Sequence, residues 1–369
     1  MTTTAAAALL VEPGRPLEID EVTLDEPHVG EVLVRVEAAG VCHSDYHYMR
    51  GDLRCPLPAV LGHEGAGVVE AVGPGVARLA PGDAVSLLWR PRCGECHPCL
   101  SGHSERCVLG RLEATTGGLL DGTSRISWNG TTAHHFLGVS CFAERCVVPE
   151  RSTVPIPDGV PFAVAAIAGC AVITGVGAVL NALGDATGRS VVVFGAGGVG
   201  CSAVMAAASA GASPVVAVDT SRAALDLAAA LGATDTVPAD GDLESALRAL
   251  CPDGADAAVE AVGRPATMRA AFSALRPGGT LVAVGLAALG EEVSRPTNEL
   301  VQQENRVVGS LYGSASPPLE LPRIFSLYKA GRLPLERLLG AAHPLSAVNE
   351  AYAELIAGAP GRALVLPGR

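Results

Sequence analysis

The hydrophobic pattern of the first part of the chain predicts short β-strands. Up to about Pro157, short apolar runs such as Val32 to Val36 and Gly67 to Val72 are separated by clusters of Gly and Pro. Runs of this length bounded by turn-forming residues are typical of an all-β arrangement. The first apolar run, Ala5 to Val11, is short and lacks a basic leader, so it is predicted to be a strand and not a targeting signal.

The pattern then changes to an alternation of strands and helices. Ala163 to Leu183 predicts a long helix, and after Ser190 apolar runs alternate with Ala-rich stretches. The apolar runs are nearly continuous, as expected for strands that are buried on both faces of a parallel sheet. They are Val191 to Phe194, Val215 to Asp219, Ala257 to Ala261 and Leu281 to Val284. The sequence therefore predicts an α/β fold, in which a doubly wound parallel sheet adjoins a β-rich domain.

The same change of pattern predicts where the domains meet. Residues 1–171 are expected to form the β-rich domain, and residues 172–311 the nucleotide-binding domain. Beyond about Leu311 the chain turns to Pro-rich segments and amphipathic helices, and it ends in a strand-like run from Ala363 to Leu366. Residues 312–369 are therefore expected to return to the first domain.

The length and net charge of the chain indicate which kinds of partner it is expected to bind. A chain of 369 residues is long enough for two domains that each have a core. The net charge of -12 argues against nucleic acid and anionic lipid as the main partners. We also expect no apolar run of the roughly 20 residues that a membrane span needs. The protein is therefore expected to be cytoplasmic and to bind a small molecule.

Four closely spaced cysteines predict a metal site. Cys93, Cys96, Cys99 and Cys107 are separated by two, two and seven residues, and four thiolates complete one tetrahedral zinc site. An iron-sulfur cluster uses similar ligand density, but its common pattern has a Pro after the last Cys, where this chain has Val108. Two disulfides are the other alternative, and they rarely persist in a reducing cytosol. Because a Cys₄ site has no open coordination position, its zinc is expected to be structural.

A glycine-rich turn predicts a dinucleotide site. The strand that ends at Phe194 runs directly into Gly195-Ala196-Gly197-Gly198-Val199-Gly200. Its glycines permit a tight turn, the approach of a pyrophosphate to the backbone and close packing of the next helix. S-adenosylmethionine and FAD are also bound by folds of this type, and the turn alone leaves them open.

An acidic residue beyond the turn indicates which dinucleotide binds. Asp219 lies nineteen residues after Gly200, where a carboxylate can accept hydrogen bonds from the adenosine ribose. It would repel a 2′-phosphate, which favours NAD over NADP. Arg222 tempers this preference, since a basic side chain there could reach the ribose or a phosphate. A simple helix cap is the alternative role for Asp219.

Further motifs carry a resemblance to a known family. Gly40-Val41-Cys42-His43-Ser44-Asp45-Tyr46-His47 and Gly62-His63-Glu64-Gly65 lie in the β-rich part, and Cys170 lies where the second domain begins. Together with the cysteine cluster and the glycine-rich turn, they resemble the zinc-dependent medium-chain alcohol dehydrogenases over nearly the whole chain. The stretch from Asp121 to Gly138 is similar to the longer-loop branch that includes the liver enzymes and the class III, thiol-dependent formaldehyde dehydrogenases. The resemblance implies a GroES-like catalytic domain beside a Rossmann domain, and a homodimer.

The resemblance implies a second, catalytic zinc ion. Cys42, His63 and Cys170 would hold it, and its fourth position would remain open to water or a substrate oxygen. Such a zinc lowers the pKa of an alcohol, so that hydride can pass to the nicotinamide. Asp45 is implied to fix the tautomer of His63, and Glu64 to lie behind the metal and approach it during ligand exchange. A buried structural thiol is the alternative for Cys170.

A proton relay and a substrate pocket are implied in the same way. Ser44 matches the hydroxyl that takes the alcohol proton, and His47 matches the histidine that passes it to solvent by way of the nicotinamide ribose. A turn or surface role is the alternative for both. Four bulky apolar residues would line the substrate tunnel and favour a primary, unbranched or aromatic alcohol, with core packing as the alternative. They are Trp89, Phe136, Leu137 and Leu286.

The remaining implied residues contact the cofactor. Thr174 and Val199 match residues that press the nicotinamide ring toward the substrate. Arg362 matches a basic residue that contacts the pyrophosphate, and His43 stands where liver-type members often have an arginine.

The sequence therefore predicts an NAD-dependent alcohol dehydrogenase with two zinc ions per chain that acts on a primary alcohol and its aldehyde. One alternative is a thiol-dependent formaldehyde dehydrogenase, and another is a redox-silent binding protein on the same fold.

Overall fold

Two β-sheets form the amino-terminal part of the protein. The computed structural model describes residues 2–369, apart from the side chains of residues 112–114. The strands are β1 (Thr3–Leu10), β2 (Glu18–Leu24), β3 (Glu31–Gly40), β4 (Ala59–Val60), β5 (Gly65–Val72), β6 (Ala84–Leu87), β7 (Ile126–Trp128), β8 (Thr131–His135), β9 (Arg145–Pro149) and β10 (Thr153–Pro155). β1, β2, β7, β8 and β4 close into a barrel, while β10, β6, β5, β3 and β9 belong to a second sheet. Alternate residues of β3, including Val32, Val34 and Val36, are buried in the core.

Short helices lie in the connections between these strands. They are α1 (His43–Arg50), α2 (His97–Leu100) and α3 (Val108–Thr116), with 3₁₀ turns at Ser104–Arg106 and Glu150–Ser152. α1 follows β3 directly, so the end of a buried strand positions the start of this helix. α2 and α3 lie in a lobe between β6 and β7 that carries the four closely spaced cysteines.

A long helix joins the two domains. It runs from Phe162 to Leu183 and comprises α4 (Phe162–Ile167), a π-helical turn (Ala168–Val172), α5 (Ile173–Gly177) and a second π-helical turn (Ala178–Leu183). The expectation that no apolar run reaches the length of a membrane span was wrong, because these 22 residues carry no charged side chain. In its most apolar window, 89% of the residues are buried inside the fold, which is typical of the core helix of a globular protein.

A six-stranded parallel sheet forms the second domain. Its elements are β11 (Val191–Phe194), α6 (Gly198–Ser209), β12 (Val215–Asp219), α7 (Arg222–Ala230), β13 (Asp235–Pro238), α8 (Leu243–Leu250), β14 (Ala255–Glu260), α9 (Pro265–Ser273), β15 (Leu275–Ala283), α10 (Thr297–Gln303) and β16 (Arg306–Gly309). The strand order is β13, β12, β11, β14, β15, β16. The direction of winding reverses between β11 and β14, and ligands bind such folds in the crevice at this point. The predicted α/β fold is confirmed.

Two strands of the parallel sheet differ from the predicted apolar runs. β11 and β12 have the predicted bounds, whereas β14 and β15 begin earlier, at Ala255 and Leu275. The ladder between them shifts register after the Ala255–Leu275 pair and resumes at Ala257 and Thr280. This irregularity accommodates Pro and Gly residues that interrupt the apolar pattern of β15 without ending the strand.

The last part of the chain returns to the first domain. It contains a left-handed turn at Tyr312–Ser314, α11 (Pro317–Lys329), a 3₁₀ turn (Leu335–Leu338), β17 (Leu339–Pro344), a 3₁₀ turn (Leu345–Ala347), α12 (Val348–Ile356) and β18 (Arg362–Leu366). β18 pairs with β17 and, in antiparallel register, with β3, where Leu364 lies opposite Gly40. This pairing brings Arg362 next to the loops that follow β3 and β4.

Candidate active site and metal centres

Four sulfur atoms converge in the lobe between β6 and β7. Those of Cys93, Cys96, Cys99 and Cys107 all lie within 4.8 Å of one another, and two of the pairs are 3.9 and 4.0 Å apart. Tetrahedral zinc with bonds of about 2.3 Å separates its sulfur ligands by about 3.8 Å, so this set fits one zinc ion. Hydrogen bonds from the backbone, first that of Val108 and then that of Cys99, lower the pKa of the Cys96 thiol to about 6. This environment favours the thiolate, which is the form that binds a metal.

Three donor atoms from distant parts of the chain meet in a second cluster. Cys42 precedes α1, His63 lies between β4 and β5, and Cys170 lies in the first π-helical turn. Their donor atoms are all within 4.8 Å of one another, and Nε2 of His63 is 3.3 Å from Sγ of Cys170. All three residues are buried. Two thiols and one imidazole form a zinc donor set that leaves one coordination position open.

A buried carboxylate orients His63. Nδ1 of His63 lies 3.1 Å from Oδ1 of Asp45, which also accepts the N–H of Gly62. Nδ1 therefore carries a proton, and Nε2 faces Cys170. Burial opposes the charged imidazolium, but Asp45 outweighs it and raises the pKa of His63. A metal ion at Nε2 would displace the second proton.

The position of Cys42 at a helix start favours its thiolate. Its Sγ caps α1 by accepting the N–H of Ser44 at 3.4 Å, and the positive end of the helix dipole faces it. A hydrogen bond with Cys170 holds the pKa of Cys42 well below its ordinary value, against the effect of burial. The same bond and burial raise the pKa of Cys170. The surroundings therefore favour the thiolate at Cys42, and a bound metal would favour it at Cys170 as well.

Glu64 links the donor cluster to the last strand. Nε of Arg362 donates to Oε2 of Glu64 at 2.8 Å, and Nη2 donates to the same oxygen. The other oxygen, Oε1, accepts the N–H of Ala171 at 3.1 Å, next to Cys170. Burial raises the pKa of Glu64 to about 7, while Arg362 opposes the shift. Glu64 therefore joins the segments that carry His63 and Cys170 to the last strand through hydrogen bonds, and its place behind a metal ion stays a prediction.

The glycine-rich turn after β11 leaves space beside the backbone. Gly195 has φ +92, and a β-carbon on Gly200 would lie 1.6 Å from the carbonyl oxygen of Gly195, so both positions require glycine. A β-carbon on Gly197 would meet no atom within 4 Å. The side chain of Arg362 packs beside Gly198, where α6 begins. The open space, the helix N-terminus and the guanidinium together fit a pyrophosphate.

Asp219 and Arg222 have different surroundings. Oδ2 of Asp219 accepts the N–H of Ala196 in the glycine-rich turn, and Oδ1 accepts the N–H of Ser221. Ser221, and not Asp219, is the residue that caps α7. Arg222 is exposed and pairs with Asp226, with Nε 3.0 Å from Oδ1. The structure therefore holds Asp219 at the turn, while Arg222 faces the next turn of its own helix.

Two predicted cofactor contacts lie on neighbouring helices. Thr174 is in α5 and has 9% of its surface exposed, and Val199 is in the first turn of α6. The helices approach closely, since a β-carbon on Gly175 would lie 2.2 Å from the carbonyl oxygen of Val199. Both residues are thus near the crevice between the domains.

His43 has cationic neighbours. It is the first residue of α1 and follows Cys42. His43 is exposed at the surface, but the loss of water around its ring, and then the charges of Arg362 and Arg264, lower its pKa, while Cys42 opposes the shift. Both arginines therefore lie close enough to act on the charge of His43. The sequence analysis did not single out Arg264. Its one signal there is its place shortly after the predicted strand that ends at Ala261.

The two residues of the predicted relay both lie in α1. Ser44 is half-buried in its first turn, and Nδ1 of His47 is 3.0 Å from Oδ2 of Asp52. Gly51 ends the helix with φ 84, and this turn brings Asp52 back toward His47. Nε of Arg50 is 3.6 Å from the same carboxylate oxygen. Asp52, which the sequence analysis missed, therefore fixes the proton of neutral His47 on Nδ1 and leaves Nε2 as the acceptor.

Aromatic rings surround the buried donor cluster. The rings of Trp89 and Phe136 lie 6.1 and 5.8 Å from that of His63, and Leu137 is buried next in the chain. Leu286 lies on the loop that leaves the parallel sheet after β15. Half of its surface is exposed and its backbone packs against Gly263, and its place in the pocket stays a prediction.

Two further tyrosines were missed. Tyr48 contacts Phe136 with ring centroids 4.8 Å apart, and Tyr312 contacts Trp89 at 4.7 Å. Tyr48 directly follows His47, so its position in the motif could have indicated it. Tyr312 has no such signal, since its neighbours in space are far away in the sequence.

The fold and the site together define the class of protein. The strand order of the parallel sheet is that of a dinucleotide-binding domain, and the glycine-rich turn opens at the point where the winding reverses. A buried zinc-type donor set lies at the junction with the β-rich domain. This combination is typical of a zinc-containing oxidoreductase that uses a nicotinamide cofactor.

Comparisons with known proteins identify the family. Residues 28–158 match the alcohol dehydrogenase GroES-like domain, and residues 198–329 match the zinc-binding dehydrogenase family. The chain is 39% identical over 365 residues to the NDMA-dependent alcohol dehydrogenase of Amycolatopsis methanolica, covering 98% of each protein. It is also 39% identical over 352 residues to an S-(hydroxymethyl)glutathione dehydrogenase of Escherichia coli, covering 94% of this chain and 95% of the relative. The chain belongs to the zinc-dependent medium-chain alcohol dehydrogenase family.

Solved structures have the same architecture. An alcohol dehydrogenase zinc-binding domain protein from Burkholderia ambifaria matches with a TM-score of 0.94 and 37% identity, covering 100% of both chains. Benzyl alcohol dehydrogenase from Acinetobacter calcoaceticus matches with a TM-score of 0.93 and 32% identity, covering 99% of both. Acetophenone reductase from Geotrichum candidum, solved in complex with NAD, matches with a TM-score of 0.79 and 26% identity over 99% of this chain and 97% of that one.

Replacement of one cysteine in each cluster is expected to have different consequences. Cys42→Ala should remove about one zinc ion per chain and abolish turnover, with little change in melting temperature, because the fold does not depend on an open metal site. Cys99→Ala should also remove about one zinc ion, but it should first lower the melting temperature or cause aggregation. Metal analysis by mass spectrometry, calorimetry and a turnover assay measure these effects. Loss of activity in both variants with unchanged melting temperatures would contradict this division of roles.

Proposed function

We propose that this protein is an NAD-dependent alcohol dehydrogenase that interconverts a primary alcohol, unbranched or aromatic, and its aldehyde. The observation that carries the proposal is the buried donor set of Cys42, His63 and Cys170 directly beside the rings of Trp89 and Phe136. Apolar ring faces next to an open coordination position favour a substrate with a hydroxyl group on an apolar carbon chain. The similarity to a benzyl alcohol dehydrogenase supports the same substrate class. We propose one zinc ion in each of the two cysteine clusters.

NAD is the proposed cofactor. The carboxylate of Asp219 is fixed by two backbone N–H groups at the carboxyl end of β12, where it would accept hydrogen bonds from the ribose hydroxyls and repel a 2′-phosphate. Arg222 is paired with Asp226, so its charge is partly compensated there. Arg362, beside Gly198, would contact the pyrophosphate.

The chain's own residues position the reactants and move the proton. When bound, zinc supplies a Lewis acid that lowers the pKa of an alcohol, and the nicotinamide supplies the acceptor for hydride. Asp45 keeps His63 oriented toward the donor cluster. The hydroxyl of Ser44 would take the alcohol proton, and Nε2 of His47 would pass it to solvent while Asp52 holds the Nδ1 proton.

A thiol-dependent formaldehyde dehydrogenase is the second candidate. The observation that favours it is the similarity to an S-(hydroxymethyl)glutathione dehydrogenase along nearly the whole chain. Its substrate would be the adduct of formaldehyde with a low-molecular-weight thiol.

Turnover with a panel of alcohols tests the proposal. The zinc-loaded protein should form NADH from 1-hexanol and benzyl alcohol, followed by absorbance, and should use NADP at least about tenfold less well because of Asp219. Formaldehyde oxidation that occurs only after addition of glutathione or mycothiol, without alcohol turnover, would favour the second candidate. Full zinc occupancy with no turnover in any of these assays would instead indicate a redox-silent protein.

Asp52→Asn tests the proton relay. The variant should lower kcat for alcohol oxidation about tenfold, because an amide N–H can donate to Nδ1 of His47 and favour the tautomer with no acceptor at Nε2, and general acid–base catalysis contributes about 10²-fold or more. In a His47→Gln background the same change should have no further effect. Arg50→Gln, which keeps the carboxylate, is the matched control and should stay within about twofold. An equal effect of Asp52→Asn with and without His47 would contradict the assignment.

A homodimer formed through the edge of the parallel sheet is also proposed. Among the described residues, β16 has a neighbouring strand on one side only, and apolar side chains near it are exposed, including Val301 at 68% and Val307 at 52%. Exposed apolar groups on an edge strand favour pairing with a second copy.

Mass measurement by light scattering tests the dimer. The protein should have about twice the chain mass of 37.3 kDa, and Val307→Asp should shift it toward the monomer because a charge would be buried in the interface. Leu319→Asp, at an exposed apolar site on α11, is the control and should leave the mass unchanged. A monomeric unmodified protein would contradict the proposal.

A further inference from the structure

Three successive residues near the domain junction have a left-handed backbone. Tyr312, Gly313 and Ser314 have φ of 54, 69 and 49. This conformation is unfavourable for Tyr and Ser, and it persists only where the surrounding structure fixes it. The contacts of this segment therefore show what holds it in place.

The segment packs directly against the long helix. A β-carbon on Gly177 would lie 2.2 Å from the carbonyl oxygen of Gly313, and one on Gly313 would lie 2.3 Å from the carbonyl oxygen of Ile173. Nδ2 of Asn181 also donates to the carbonyl oxygen of Gly313 at 3.2 Å. Gly177 and Gly313 thus allow the backbones of the helix and the segment to approach each other. The carbonyl oxygen of Thr174 lies on the same face of the helix, 3.0 Å from the position that a β-carbon on Gly313 would take.

Tyr312 extends this contact to the first π-helical turn. Its side chain is 2% exposed, and its hydroxyl donates to the carbonyl oxygen of Gly169, the residue before Cys170. On the other side, Gly169 lies against β6, since a β-carbon there would be 2.6 Å from the carbonyl oxygen of Leu87. The ring of Tyr312 packs on Trp89 with centroids 4.7 Å apart. The turn that carries Cys170 is therefore held between β6 and Tyr312.

A π-helical turn is a rare deviation from the α-helix and is frequently found at functional sites. Cys170 lies within this turn, so the geometry of the turn decides where Sγ of Cys170 points. We propose that Tyr312 is a positioning residue, whose hydroxyl fixes this turn so that Cys170 meets Cys42 and His63. The inference rests on the proposed function only in assigning these three residues to a zinc ion.

The role of the Tyr312 hydroxyl is tested by Tyr312→Phe, which keeps the ring on Trp89. Zinc release to a chelator should become about 10- to 100-fold faster, as for other groups that orient metal ligands. Of the phases of zinc release, only the one that is absent from the Cys42→Ala variant should become faster. In cobalt-substituted protein, the absorption bands of the thiolate-bound metal should shift, while the melting temperature should stay close to that of the unmodified protein.

Tyr352→Phe is the matched control. Tyr352 is equally buried at 2% exposure, and its hydroxyl has no hydrogen-bond partner among the described residues. This variant should leave zinc release and the cobalt spectrum unchanged. Equal release rates and spectra for Tyr312→Phe, Tyr352→Phe and the unmodified protein would overturn the proposal.

A second variant keeps the test decisive if Tyr312→Phe does not fold. Asn181→Ala removes the hydrogen bond from Nδ2 of Asn181 to the carbonyl oxygen of Gly313. It should accelerate the same phase of zinc release by a smaller factor, and an unchanged rate would overturn the proposal. These readouts need no substrate. An unmodified protein that binds zinc but oxidises no alcohol would therefore refute the proposed function alone, whereas altered turnover with unaltered metal release would refute the role of Tyr312 alone.

Discussion

The candidate active site depends on the meeting of two thiols and an imidazole at one buried point between the domains. Each donor comes from a different element, so α1, the loop after β4 and the long helix must pack correctly before Cys42, His63 and Cys170 can share a metal. Buried polar groups are unfavourable unless they are bonded. Oδ1 of Asp45 and both oxygens of Glu64 are bonded in this way, and they hold together the segments that carry His63 and Cys170. Domain packing therefore sets the geometry in which these three residues could share a metal.

The ion pair of Glu64 and Arg362 extends this constraint to the end of the chain. β18 pairs with β3, and this pairing places the guanidinium between the carboxylate of Glu64 and the first turn of α6. A buried ion pair contributes favourably only when its remaining polar atoms are bonded, and Oε1 of Glu64 takes the N–H of Ala171. The same arginine thus lies between Glu64, at the donor cluster, and the glycine-rich turn, and it contacts both.

The sequence predicts features whose physical cause is local. The spacing of Cys93 to Cys107 and the strand that enters Gly195 are both contained in short stretches, so the metal lobe and the dinucleotide turn could be recognised without coordinates. The family resemblance added Cys170, which no local pattern identifies as a ligand. Asp52 and Tyr312 were missed because their roles depend on where a turn returns the chain. For Tyr312 the partner, Gly169, is 143 residues away.

Two further expectations have different outcomes. The pocket role of Leu286 stays a prediction, since a loop residue is placed by its own packing, and here the backbone lies against Gly263. The expectation that no apolar run reaches the length of a membrane span was wrong for Phe162 to Leu183. The composition of this helix reflects burial between two sheets, which requires apolar residues on all sides of a helix.

The two cysteine clusters differ in what maintains them. The ligands of the lobe lie within one short segment, and backbone N–H groups of that segment donate to the sulfur atoms, so the lobe can keep its geometry through local structure. The buried cluster joins His63 to Cys170 across 107 residues of sequence. Its geometry is therefore set by domain packing, and we expect changes at the junction, including at the left-handed segment beside the long helix, to affect this cluster more than the lobe.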